Sequence, residues 1–209
     1  MATTTPNYGW TVPTSTDLVK DGATAIETLG DAIDASMNTA LGTKKAGMVL
    51  LNTTSFSAVA SQSLPNDTFT STYDSYRVVL RLSASGNTPI RMRFRTAGTD
   101  NSSSFYYATW IGVSAVSDTT LYMRSGAQNA GYLDTQSTTA PKIWGFDIHN
   151  PKLSTITFLL GHYSDNSSAT AYNGGLIFSD TTSFDSFSFF TVTGGTTMTG
   201  DVKVYGYNK

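Results

Sequence analysis

The sequence predicts a mainly β protein: an antiparallel β-sandwich, jelly-roll-like in kind, preceded by an N-terminal arm and one short coiled-coil helix. Three observations lead there. Helical periodicity is confined to residues 17–41. From Met48 onward the apolar pattern has period two, as in Val78, Leu80 and Leu82 alternating with Arg77 and Arg81. Only 13% of residues are charged, while Thr, Ser, Asn, Gly and aromatics abound, which describes strands with a neutral, hydrogen-bonding surface. These features divide the chain into an arm (1–16), a helical segment (17–46) and a β region (47–209).

The arm, MATTTPNYGWTVPTST, has no periodicity and is punctuated by Pro6, Gly9 and Pro13. Its aromatics, Tyr8 and Trp10, stand out in polar surroundings. Either they anchor the arm to a partner, or Trp10 folds back onto the helix as a local staple. In the helical stretch Val19, Ile26, Ile33 and Ala40 recur every seven residues, with Leu29 at the intervening seam position. Ser15 or Thr16 can cap its start, Asp17 and Asp21 suit the positive end of the dipole, and Lys44 and Lys45 lie past its end. Gly22 and Gly30 each cost about 1 kcal/mol relative to alanine, and Ser36 occupies a seam position. Such a helix frays alone. It must lean on copies of itself, on the β region, or on a larger assembly.

After the glycine-bounded joint 42–47, alternation marks strands around residues 77–82 and 90–95, joined by Ser83-Ala84-Ser85-Gly86-Asn87-Thr88-Pro89, a set suited to a hairpin. Further strands are expected at 104–116, 120–123, 142–148, 155–163, 169–178, 184–192 and 200–207. With no helical period between them, they make a sandwich, a barrel being the other closure. Ile156-Thr157-Phe158-Leu159-Leu160 and Phe187-Ser188-Phe189-Phe190 carry apolar residues on both faces, so another surface should cover the outside of the sheet.

Chemistry is sparse. The net charge of -2 and pI near 5.5 give no reason to expect nucleic acid. Cysteine is absent, no apolar run reaches membrane-span length, and the first ten residues lack the marks of a signal peptide. Without such a signal, the Asn-x-Ser/Thr triplets at Asn52, Asn66, Asn101 and Asn166 read as chance. No P-loop, HExxH, GxSxG or EF-hand pattern occurs. His149 and His162 fall on separate strands, where structural or surface roles outweigh metal ligation. No catalysis, cofactor or metal is expected.

Two surface signals remain. Arg77, Arg81, Arg91, Arg93 and Arg95 share outward parity in the expected hairpin and would form one basic patch, for an anionic glycan or as stems covering apolar surface and paired with aspartates. Among the aromatics, Tyr132 and Tyr172 sit near glycines in loop-like context and are the best candidates to stack on sugar rings, ahead of Trp110 and Trp144.

The opening TTTPNYGWTVPTSTDLVKDGATAIETLGDAIDASM resembles the N-terminal attachment segments of tail fibres and minor tail proteins of tailed bacteriophages, especially those of cyanobacteria and actinobacteria. LPNDTFTSTYDSYRVVLRL, FYYATWIGV and VKVYGYNK are similar to β-rich distal domains of phage and prophage virion proteins. The resemblance implies a homotrimeric, non-enzymatic virion protein of the tail. Tyr8 and Trp10 would dock on a tail or baseplate protein, and Val19, Ile26, Leu29, Ile33 and Ala40 would face the trimer axis; from the two surface signals rather than from the resemblance, the sandwich is expected to meet host surface polysaccharide through Tyr132, Tyr172, Arg91, Arg93 and Arg95. The seam alone is compatible with dimers as well. The other reading is a decoration or cement protein on the capsid surface, without receptor binding.

Overall fold

A computed structural model describes residues 3–14, 18, 21–41, 47–114, 120–137, 139–165 and 170–208. The chain divides into two compact units, Met1–Gly47 and Met48–Lys209. No helix among the described residues is long and apolar enough to cross a membrane.

In the first unit, the stretch read from sequence as an irregular arm is a small hairpin. Strand β1 (Thr3–Thr4) pairs antiparallel with β2 (Thr11–Val12). Gly9 takes φ +67°, a conformation without cost for glycine, and its N–H donates to the Thr5 carbonyl at 3.0 Å. The turn aims Trp10 at helix α1 (Gly22–Leu41), where its Nε1 donates to Ser36 Oγ at 3.0 Å. The hydroxyl that weakens the heptad seam is therefore the acceptor of a tryptophan donor. Leu29 and Ile33 are half-buried, whereas Ile26 is 66% exposed and Ala40 is also exposed, so the expected seam is split between two environments. Val19, the proposed caps Ser15 and Thr16, Asp17 and the joint at 42–46 lie outside the described residues.

The second unit is a β-sandwich of antiparallel sheets around one core. Its strands are β3 (Met48–Val59), β4 (Ser61–Ser63), β5 (Ser75–Ala84), β6 (Thr88–Thr96), β7 (Thr99–Asp100), β8 (Tyr106–Ser114), β9 (Thr120–Gln128), β10 (Gly131–Ser137), β11 (Lys142–His149), β12 (Thr157–Asp165), β13 (Thr170–Phe178), β14 (Ser186–Thr191) and β15 (Met198–Tyr207). One sheet has eight strands in the order β3-β15-β5-β11-β12-β13-β8-β9. The other has the order β10-β6-β14-β4, with β7 on β6. Alternation supplies the filling: Val78, Leu80 and Leu82 from β5 and Ile90, Met92 and Phe94 from β6 are buried in one cluster with Phe187 and Phe189 of β14.

The expected hairpin between β5 and β6 is corrected. These strands do not pair: β5 lies between β15 and β11, while β6 lies between β10 and β14 in the other sheet. Residues 85–88 bond to a distant loop rather than to each other. Ser85 N donates to the Thr197 carbonyl at 2.8 Å, Thr197 N to Ser85 Oγ at 2.9 Å, and Val192 N and Thr193 N to Thr88 Oγ1 at 3.1 and 3.0 Å. Both strands carry an apolar face, and crossing over lets those faces meet across the core.

Candidate functional site

Because the chain crosses between sheets at residues 85–88, the five arginines do not form one patch. Arg77 and Arg81 lie on the outer face of the eight-stranded sheet, and Arg77 Nη1 is 3.1 Å from Asp147 Oδ2, whose Oδ1 accepts from Tyr207 at 2.7 Å. Desolvation, reinforced by the hydrogen bond and charge of Asp147, pushes the Tyr207 phenol above its ordinary pKa. Arg91, Arg93 and Arg95 point outward from β6 on the five-stranded sheet and form a ladder of their own.

Within that ladder the three guanidinium groups have different surroundings. Arg95 is held by the protein itself: its Nε donates to Asp100 Oδ1 at 2.8 Å, its Nη1 to the Leu64 carbonyl at 3.2 Å and its Nη2 to the Gly98 carbonyl. Asp100 in turn accepts from Ser188 Oγ at 2.9 Å. Arg93 donates from Nε to the Asn129 carbonyl at 2.9 Å and lies over Phe190, 4.9 Å from the ring centroid. Arg91 lies over Tyr132, 4.1 Å from its centroid, donates to its hydroxyl, and keeps a buried Nε with no hydrogen-bond partner. Among the described residues no carboxylate pairs with Arg91 or Arg93. Two cations with no carboxylate partner among the described residues suit an anionic ligand that offers oxygens to the guanidinium groups.

Tyr132 belongs to this ladder because β10 pairs with β6 in a register that sets Tyr132 opposite Arg91. The sequence of that strand, GYLDTQS, carries no clear alternation that marks it. Tyr172 is elsewhere: it is mid-strand in β13, only 9% exposed, and stacked on Tyr163 with centroids 4.4 Å apart. The loop context inferred from its neighbouring glycines is corrected, since Gly112 opposite leaves room for the Tyr172 ring. Trp110 and Trp144 are core residues whose Nε1 groups donate to the carbonyls of Tyr132 (3.0 Å) and Leu133 (3.2 Å).

Tyr8 is exposed and stacks on Trp10 with centroids 4.9 Å apart, so the pair presents one ring outward and bonds the other to the helix. His149 shares a hydrogen bond of 2.9 Å with Ser75 Oγ, and His162 sits across from Gly145. Among the described residues no group of three or more His, Cys, Asp or Glu is arranged to hold a metal ion.

A second surface was only partly legible in the sequence. On the outside of the eight-stranded sheet, Phe158 faces Ile177, and Ile177 faces Tyr107. All three are exposed, as are Ile111, Val113, Ile143 and Leu160. Tyr107, Phe158, Leu160 and Ile177 border a shallow depression of about 240 Å³ with Gly175 among its lining residues.

Compared with known proteins, the chain matches no protein-family model and no curated sequence.

Proposed function

We propose that the chain is a structural virion protein of a tailed bacteriophage: a homotrimeric tail fibre whose N-terminal unit attaches to a tail or baseplate protein and whose sandwich adheres to host surface polysaccharide. The reading is of an adhesive, non-catalytic protein that uses no cofactor. The observation that carries it is apolar surface left uncovered by a single chain. On α1, Ile26 is 66% exposed and Met37 53%, and the outer sheet face adds Val113 and Leu160 at 59% and 57%. Apolar surface of this kind, on each of the two units, is covered in oligomers. In this reading α1 is one strand of a parallel coiled coil with Ile26 toward the axis. The sandwich is of jelly-roll type, supported by β3, β4, β5 and β6 alternating between sheets, although β11, β12 and β13 run as a simple meander.

Adhesion is assigned to Arg91, Arg93 and Tyr132, the part of the ladder not consumed by internal carboxylates. Tyr172 has no place in that role, being buried.

Sedimentation of the intact chain tests the assembly. The expected result is a trimer, reduced to monomer in Ile26→Asp/Met37→Asp; a folded single-chain species with full α1 helicity would overturn it. Arg91→Gln/Arg93→Gln is expected to lose salt-sensitive adsorption to host cells while still sedimenting as the trimer. Gold label on an epitope fused after Lys209 is expected at the tail. Label spread over the head would favour the capsid-decoration reading instead.

A further inference from the structure

The interior of the sandwich holds a lysine and an aspartate that neither adhesion nor assembly uses. Lys142 opens β11 in the eight-stranded sheet, and Asp134 lies in β10 of the other. Both side chains are withdrawn from solvent, and Lys142 Nζ is 2.8 Å from Asp134 Oδ2. The second oxygen, Oδ1, accepts from the Tyr163 hydroxyl at 3.4 Å. Around them Tyr163 is packed against Trp144 at 5.6 Å, Tyr172 at 4.4 Å and Trp110 at 5.5 Å between centroids, and the Lys142 ammonium is 5.9 Å from the Tyr163 centroid.

An ion pair in such a place is costly to desolvate, and its Coulomb attraction offsets that cost only in part. A neutral amide between the same atoms removes both charges. The carboxyl carbon is one C–O bond beyond Oδ2, so it lies within about 4 Å of the amine, close to the separation from which positioned groups react. The two oxygens are also differentiated, one facing the amine and the other facing a phenol donor.

We propose that Lys142 and Asp134 condense to an intramolecular isopeptide bond that joins the two sheets. The ammonium gives one proton to Oδ2, leaving a neutral amine and a carboxylic acid. Nζ attacks Cγ, and the Tyr163 hydroxyl stabilises the negative charge that develops on Oδ1. A second proton passes from Nζ to Oδ2 as the Cγ–Oδ2 bond breaks, and water leaves. The product is a secondary amide; nothing is oxidised or reduced, and no co-reactant enters. Expulsion of that water from an apolar interior favours the condensed form.

The test is the intact mass of the purified full chain with a tryptic map. The expected chain is lighter than its sequence by one water, about 18 Da. Trypsin should fail to cleave after Lys142, giving a peptide that runs from Ser125 through Lys152 and carries the mass deficit. Lys142→Arg should restore the full sequence mass. Asp134→Asn should likewise show the full sequence mass, because an amide cannot take the first proton from the Lys142 ammonium. A wild-type chain of full mass that trypsin cleaves after Lys142 would overturn the proposal, and so would a water deficit that persists in Lys142→Arg.

Discussion

Tyr106 is the residue whose burial has the clearest measurable consequence. Its hydroxyl accepts from Phe94 N and donates to the Asn101 carbonyl, both at 2.9 Å, and burial pushes the phenol well above its ordinary pKa. A folded-state pKa above the unfolded value means that the neutral phenol's contribution is complete below about pH 10 and is lost as pH rises toward the folded value. Denaturant titrations should therefore show stability falling above about pH 10, with a shallower fall in Tyr106→Phe. At neutral pH that variant leaves Phe94 N–H and the Asn101 carbonyl without their partner, and it should lose about 1–3 kcal/mol. The ladder follows the same logic of local surroundings. The parity of Arg91, Arg93 and Arg95 was legible in the sequence, because alternation with Ile90, Met92 and Phe94 leaves them no inward option. Which arginine is already neutralised was not legible, since Asp100 reaches Arg95 only through the turn that forms β7.

At the scale of elements, most strands of the β region were readable from alternation, and the failures share a cause. Strand β10 reads GYLDTQS, which looks like a loop until Leu133 is seen in the core and Asp134 beside Lys142. A buried acid paired with a lysine eight residues on, in the opposite sheet, carries no periodic signature. Likewise the residues at 83–89 announce a turn, while the choice of receiving sheet depends on Thr197 and the 191–193 segment, more than a hundred residues downstream. Glycines around Tyr172 suggested a loop, yet they serve close strand approach. Gly174 pairs with Gly161 and Trp110, and a Cβ there would fall 2.1 Å from the Thr109 carbonyl oxygen. Backbone is a poor shock absorber, so Gly174→Ala should cost at least about 1–3 kcal/mol, read as a lower urea midpoint. Gly194 has open space around its missing Cβ, and Gly194→Ala should shift that midpoint far less.

For the molecule as a whole, the composition conveyed its character better than its plan. Low charge and abundant hydroxyls foretold a sandwich with a neutral exterior. The paired apolar runs foretold uncovered surface on the eight-stranded sheet, realised at Phe158 and Leu160, whereas Phe187 and Phe189 turned out to be core. What the sequence withheld was strand order, which is set by contacts between segments far apart along the chain. The clearest instance is β15, inserted between β3 and β5 and bonded along its length to both.

That insertion has a bearing on biosynthesis. Strand β15 leaves the ribosome after every other strand named here, so β3 must wait with an open edge through the synthesis of some 140 intervening residues. Nascent chains stalled before Met198 should remain protease-sensitive and prone to aggregate, and resistance should arise abruptly once the ten residues of β15 have emerged. Truncation within β15 would thus leave both β3 and β5 with an open edge, because that strand is the one that joins them.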